Sequence, residues 1–448
     1  MPALKIALVG AGSRSFGPAT VRDILLSEPL CAEGVELRLM DVDLTAAEAA
    51  AADARAVAAR LKRNAAVPAT DDLSTALDGA DYVIKAIERR RYHFWSQDFH
   101  VPRQHGFRQV YGENGGPGGI FHALRNMGPT VEVARAMERR CPDALLLSYT
   151  NPEHKLMEAV SRLTGVEAVG LCHGFAMGLG QVAAMLGMEP AEIDAVACGI
   201  NHCTWFQAIR DRRTGEDLYP ALRYAEASGD ELADWHDIGL SRILFRRLGL
   251  WPSPGANHIG EYIGWADEFV ASELQYFYDP MAGDPWAAGQ APEFIYSLSG
   301  DTTRRPWVRP EQVEPGIDER PLTPSGEYAV PIMEALQGAG SRVIDAVNIP
   351  NQGSIPNLPT EMIVEMPVDA SHHGLARMQM DPLPEPVSAI LRTQGAIQRL
   401  LVEAYSEQSR EKLLQAILLD PTCHSYRNAV AMMDEMLRLQ AEALPPLY

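Results

Sequence analysis

A doubly wound α/β sheet followed by a mixed α+β half is the architecture this sequence predicts. Three observations predict it. Short apolar runs alternate with amphipathic stretches through the first half of the chain, a Gly-x-Gly turn follows the first run, and the pattern changes beyond about residue 206. The runs at 4–9, 35–42, 80–87, 144–149, 168–171 and 195–200 have strand length and composition, while the Ala-rich stretch 45–62 and the stretches 128–140 and 155–163 read as helices. Strand and helix in alternation imply a parallel sheet with helices on both faces. Beyond residue 206 the helical segments lengthen, Trp and Tyr cluster, and Pro-rich connections appear at 251–255 and 349–359. Two domains are therefore expected, 1–205 and 206–448, with a largely helical stretch at 385–444 that packs on the first domain or on another subunit.

The 448 residues, 46% apolar and 22% charged, are ordinary globular composition with ample length for two cores. A net charge of -20 argues against a nucleic acid or an anionic membrane as partner, because a polyanion is repelled over most of the surface. No apolar run reaches membrane-spanning length, and residues 1–5 lead into a strand rather than a signal sequence, so the cytoplasm is the expected location. The six cysteines are scattered without a small-domain disulfide pattern and are expected as reduced thiols.

The first run ends in Gly10-Ala11-Gly12-Ser13, where glycines let the backbone turn tightly and approach a pyrophosphate at the start of the next helix. Ser15 stands where a third glycine is usual. The second run ends in Asp41, a carboxylate suited to ribose hydroxyls and repelled by a 2′-phosphate. A Rossmann-type site for NAD, rather than NADP, is the expectation, with Gly10, Gly12, Ser13 and Asp41 as its contacts.

Three further runs end in polar residues, Ser148-Tyr149-Thr150-Asn151-Pro152, Leu171-Cys172-His173-Gly174 and Gly199-Ile200-Asn201-His202. In a doubly wound sheet the carboxyl ends of the strands form one rim, which is where ligands bind. Cys172 and His202 offer a thiolate and an imidazole for a divalent metal with open positions for substrate oxygens. The Gly-rich segment 112–119 precedes a predicted helix carrying Arg125 and reads as a backbone cradle over substrate or cofactor.

Together with Glu261-Tyr262, the segments Gly10-Ala11-Gly12-Ser13, Asn151-Pro152, Cys172-His173-Gly174-Phe175 and Gly199-Ile200-Asn201-His202 resemble glycoside hydrolase family 4 in order and spacing, most securely over residues 5–265. Family 4 enzymes are NAD-dependent exceptions to the two-carboxylate glycosidase mechanism. The resemblance implies that NAD takes hydride from the sugar C3, a base removes the acidified C2 proton, the glycosidic oxygen leaves, water adds, and the hydride returns. It further implies a metal, manganese in the family, on Cys172 and His202; Tyr262 as the C2 base; Asn151 at a sugar hydroxyl beside the nicotinamide; and a homodimer or homotetramer. For the leaving-group acid, His173 is the first choice and Glu113 the second.

Two departures bear on substrate. Phosphosugar members of the family have Asp or Asn in place of His173 and a phosphate-binding Arg at the position aligned with Trp95, so an unphosphorylated α-glycoside is expected. Glu88-Arg89-Arg90-Arg91 follows the third run at the same rim, and Arg91 with its neighbours suits an anionic C6 group, a uronide carboxylate or a sulfoquinovoside sulfonate. Arg304-Arg305 reads as a surface pair. The rival readings are an NAD-dependent hydroxy-acid dehydrogenase, which releases NADH, and a non-catalytic NAD-sensing protein, which has no need of a metal beside the nicotinamide.

Overall fold

The computed structural model describes residues 3–13, 16–228, 238–270, 294–296, 305–307 and 322–448. Ser15 and Arg304 lie outside the described residues. In the first strand, β1 (Leu4–Val9), Ile6 and Leu8 enter one core while Ala7 and Val9 enter another, because successive strand residues face opposite sides. Both faces are apolar, so both are covered, and this drives the layered α/β architecture.

Helix α1 (Gly17–Leu26) leads to β2 (Val35–Met40), and α2 (Leu44–Leu61) follows, capped where the Asp43 carboxylate accepts from the Thr45 and Ala46 N–H groups at 3.0 and 3.3 Å. Next come β3 (Tyr82–Lys85), α3 (Arg91–Gln104), α4 (Gly116–Arg140), β4 (Leu145–Ser148), α5 (Glu153–Leu163) and β5 (Ala168–Gly170). Strands β1 to β5 pair in parallel in the order β2-β1-β3-β4-β5, as expected for a Rossmann-type sheet. Helix α4 begins at Gly116, twelve residues earlier than its Gly-rich composition suggested; residues 116–127 are all buried, and packing overrides the low helix propensity of glycine.

The chain then runs through α6 (Gly174–Leu186), β6 (Ile193–Ile200), β7 (Cys203–Asp211), the short β8 (Pro252–Ser253) and the one-turn α7 (Ala256–Ile259). Strands β9 (Arg342–Pro350) and β10 (Ile363–Ser371), from the second half, do not build a sheet of their own. They insert between β5 and β6, with Asn348 opposite Gly170 and Glu365 opposite Gly199. One thirteen-stranded sheet results, in the order β8-β7-β6-β10-β9-β5-β4-β3-β1-β2, extended by short strands at 65–66, 69–70 and 374–377. The division expected at 205/206 falls inside β7, and the two halves share this sheet.

The C-terminal helices α8 (Glu385–Ser406), α9 (Arg410–Leu419) and α10 (Tyr426–Leu439) lay Ile397, Leu401, Leu413, Ile417 and Met432 against Phe121 and Met127 of α4 and Leu156 of α5. Arg125, expected at the substrate, is instead 1% exposed; its guanidinium pairs with Asp98 at 2.7 Å and donates to the Gln440 amide oxygen at 2.7 Å, tying α4 to α3 and to the end of α10. Among the described residues no helix is long and apolar enough to cross a membrane. Because Asp98 is the buried counter-charge of Arg125, D98N strands a cation in the core and is expected to lower unfolding free energy by about 3–5 kcal/mol, read by denaturant titration.

Candidate active site

The turn after β1 is shaped by backbone approach. Gly10 has φ +91°, and a Cβ there would stand 2.4 Å from the Ala86 carbonyl oxygen. Asp41, at the end of β2, accepts from the Gly12 N–H at 2.8 Å through one oxygen and from the Asp43 N–H at 3.0 Å through the other. A cavity of about 680 Å³ opens beside them, lined by Gly10, Gly12, Ser13 and Asp41 and also by Glu88, Arg91 and Asn126. Gly10, Gly12, Ser13 and Asp41, all expected as dinucleotide contacts, thus line one cleft, whereas Asn151, also expected beside the nicotinamide, is not among its lining residues.

From Glu88 a hydrogen-bonded ring leads inward. The buried His122 holds Glu88 Oε2 at 2.7 Å on Nε2 and the Glu113 carbonyl oxygen at 2.7 Å on Nδ1, while Arg91 pairs with the Glu113 carboxylate and lies 3.7 Å from Glu88. Burial opposes ionisation of Glu88, but His122 and Arg91 outweigh it and hold the carboxyl at about 2. Burial opposes ionisation of Glu113 too, and Arg91, His122 and His258 again prevail and hold it below the usual range. An ionised Glu113 is an acceptor or a ligand rather than the leaving-group acid.

Glu113 meets His202 and His258: one donor atom of each lies within 4.8 Å of the others. His202 occupies the β6–β7 turn at φ +64°, and its ring stands edge-on to that of His258, centroids 4.4 Å apart. Burial, then His258, keeps the His202 imidazole neutral at ordinary pH. Its Nδ1 is buried and has no hydrogen-bond partner among the described residues. Two imidazoles, one of them with an orphaned ring nitrogen, and a carboxylate fit a divalent metal.

A chain of amides joins the strand ends. Asn114 Nδ2 reaches Asn201 Oδ1 at 2.7 Å and Asn151 Oδ1 at 3.4 Å; Asn201 Nδ2 donates to Glu365 Oε2 at 3.4 Å, and Asn348 Nδ2 donates to the same oxygen at 2.9 Å. Cys172 hydrogen-bonds the Asn201 side chain, and burial followed by the Glu365 charge pushes its thiol well up. Burial raises Glu365 itself to about 7. The Tyr262 hydroxyl donates to the Asn201 carbonyl at 3.0 Å, and burial followed by Glu261 raises the phenol above its ordinary value.

The Gly-rich segment is clamped rather than open. The buried Glu261 carboxylate accepts from the Glu113 N–H at 2.6 Å and the Asn114 N–H at 2.9 Å, and Lys155 donates to the Asn114 carbonyl. Burial, then the Glu113 charge, raises Glu261 to about 8, and burial lowers Lys155 to about 8.

This sequence matches the model described as Family 4 glycosyl hydrolase over residues 5–188 and the one described as Family 4 glycosyl hydrolase C-terminal domain over residues 197–423. The chain belongs to this family. It is 30% identical to an α-glucosidase of Erwinia rhapontici, with 98% of each chain covered, and 29% identical to an α-galactosidase of Bacillus subtilis, with 98% and 99% covered. An α-galacturonidase of Thermoanaerobacter italicus is 26% identical, with 97% of this chain and 95% of the relative covered. Among solved structures, a 6-phospho-α-glucosidase from gut microorganisms, in complex with NAD and Mn²⁺, superposes with a TM-score of 0.78 at 20% identity, covering 99% of this chain and 100% of that one.

Within this family 4 chain, Glu113, Asn151, Cys172, His202 and Tyr262 enter one polar network, which Arg91 joins through Glu113. His173 lies at its exposed edge, with Nδ1 3.1 Å from Glu327 Oε1, a hydrogen bond that raises the imidazole pKa. Trp95 lies beneath rather than at the rim: its ring is buried, its Nε1 donates to the Tyr111 carbonyl at 3.0 Å, and Arg91 stacks 4.6 Å above it. Sequence reasoning missed His258, Asn114, Lys155 and Glu365. His258 had a signal, three residues before Glu261; Glu365 had none, because it arrives on an inserted strand. A Cβ on Gly115 would lie 2.5 Å from the Glu261 carbonyl oxygen, so G115A is expected to cost about 1–3 kcal/mol of stability in denaturant titration.

Proposed function

We propose that this family 4 glycoside hydrolase cleaves unphosphorylated α-hexopyranosides by reversible oxidation at the sugar, using NAD in the cleft above β1 and β2 and a divalent ion, manganese, at His202 with Cys172 on a neighbouring strand end. The carrying observation is continuity. Glu88, in the cleft wall, joins through His122 to the Glu113 backbone carbonyl, so the cleft wall beside Glu88, where the nicotinamide would lie, is hydrogen-bonded to the residue that carries the donor carboxylate.

NAD would supply a hydride acceptor that is regenerated in each turnover, and the ion would supply positive charge beside a developing enolate and depress the pKa of acids close to it. Tyr262 is the proposed base for the C2 proton, since its hydroxyl stands at the Asn201 carbonyl, one residue from His202. His173 is the proposed leaving-group acid. Its ring is half exposed at the edge of the network, and Glu327 keeps it protonated to higher pH than a free imidazole. Asn151 and Asn114 present amides toward the same rim and are suited to sugar hydroxyls.

Unphosphorylated substrates fit the chain's departures at His173 and Trp95 and the names of the three relatives given above, an α-glucosidase, an α-galactosidase and an α-galacturonidase, although a maltose-6′-phosphate glucosidase is 27% identical over 85% of this chain. Of the arginines expected at an anionic C6 group, Arg90 pairs with Glu442 and Arg91 with Glu113, whereas Arg89 is exposed and lines the cofactor cleft. Arg89 is therefore the cation placed to meet a uronide or sulfonate. A cytoplasmic homodimer or homotetramer completes the reading.

Nitrophenyl α-glucoside, α-galactoside, α-galacturonide, α-glucuronide and sulfoquinovoside, offered in deuterated water with NAD, manganese and reductant each supplied or withheld, test it. Hydrolysis that needs both NAD and manganese and leaves deuterium at C2 is expected. NADH accumulating in proportion to substrate without hydrolysis would return the chain to the dehydrogenase reading. D41A removes the carboxylate offered to the ribose and is expected to weaken NAD binding by about 10- to 100-fold in a fluorescence titration.

A further inference from the structure

We propose that Glu113 and His258 are protein ligands of the same divalent ion as His202, so that this chain offers a carboxylate and two imidazoles, a donor set the sequence pattern of Cys172 and His202 did not contain. The inference rests on the metal-dependent reading above and specifies its site.

Three elements distant in sequence converge to make the cluster. Glu113 comes from the clamped segment before α4, His202 from the β6–β7 turn, and His258 from α7. Their donor atoms lie mutually within 4.8 Å, the separation at which one ion can touch all three. The bland alternative is a buried hydrogen-bonded cluster, and two details weigh against it. The first is His202, whose buried Nδ1 finds no partner among the described residues and so stays desolvated without compensation unless an ion or a water relieves it.

The second is the orientation of His258. Its Nδ1 stands 2.8 Å from the Asn257 amide oxygen. An amide oxygen only accepts, so Nδ1 carries a proton and this bond orients the ring, which leaves Nε2 as the nitrogen that would meet an ion once it is deprotonated. Glu113 is oriented in a comparable way by Arg91, and its backbone is fixed by Glu261. Cys172 forms no such three-donor group among the described residues; its contact is with Asn201, next in sequence to His202. Adding a carboxylate shifts the set toward hard donors, which suits manganese(II) or iron(II) and leaves open positions for vicinal sugar hydroxyls.

Free Mn²⁺ measured by electron paramagnetic resonance during titration of wild type, E113Q, H258Q and C172S tests the assignment without turnover, with NAD binding to each variant as the check on folding. E113Q and H258Q are expected to bind Mn²⁺ about 10- to 100-fold more weakly while retaining NAD affinity. Cobalt(II) in place of manganese should give visible bands that H258Q changes. If both variants bind Mn²⁺ as tightly as wild type, the assignment is overturned while the glycosidase reading stands. If wild type itself binds no Mn²⁺, the metal-dependent reading fails with it. Should E113Q lose NAD binding through misfolding, H258Q decides alone.

Discussion

The carboxylate of Glu261 organises the site. Buried without solvent, it takes the N–H groups of Glu113 and Asn114, while Lys155 takes the Asn114 carbonyl from the other side. These bonds turn a run of glycines, flexible in isolation, into a fixed shelf. The glycines serve closeness: at Gly115 and Gly119 a side chain would collide with the main chain of Glu261 and of Asn114. The shelf then presents Glu113 toward His202 and His258, and Asn114 toward Asn151 and Asn201. Without the clamp the donor cluster and the amide chain lose their common anchor.

Charge is distributed in the same economical fashion. In a chain of net charge -20, the buried Arg125 and Lys155 and the half-buried Arg91 are each engaged by protein acceptors. Arg125 meets Asp98, Arg91 meets Glu113 and Glu88, and Lys155 meets the Asn114 carbonyl beside Glu261. A buried ion left without its partner is costly, so these pairs fix geometry even where their net contribution to stability is small. The distinction matters for Arg125 and Arg91. From the sequence Arg91 was expected at an anionic group and Arg125 at the substrate, and both are engaged by protein carboxylates. Arg89, on the exposed side of the same segment, lines the cleft together with Arg91, which Glu113 engages.

The inserted pair β9 and β10 does for the far end of the site what the shelf does for the near end. By pairing beside Gly170 and Gly199 it delivers Asn348 and Glu365 to the strand ends that carry Cys172 and Asn201. A site that draws on both halves of the chain has its precision set by one continuous sheet rather than by two bodies that hinge, and rigid elements hold reactive groups more exactly than loops do.

Much was legible in the sequence. Strand and helix alternation, the tight turn at Gly10 and the acidic end of β2 are local patterns, each fixed by neighbouring residues, and they located the cleft and the polar rim with Cys172 and His202, while Tyr262 was expected from the family resemblance. Convergence was not legible. That His258 would face His202, that Glu113 would join them, that Trp95 would lie beneath the rim and Arg125 in the core, and that β9 and β10 would enter the first sheet are outcomes of packing between segments tens to hundreds of residues apart. Periodicity and spacing record which face of an element is apolar; they carry no record of which other element covers that face. The residue types and their order were therefore set by the sequence alone, and the choice of partners by tertiary structure, because partner choice is decided by burial and by the need to satisfy each buried charge and polar group.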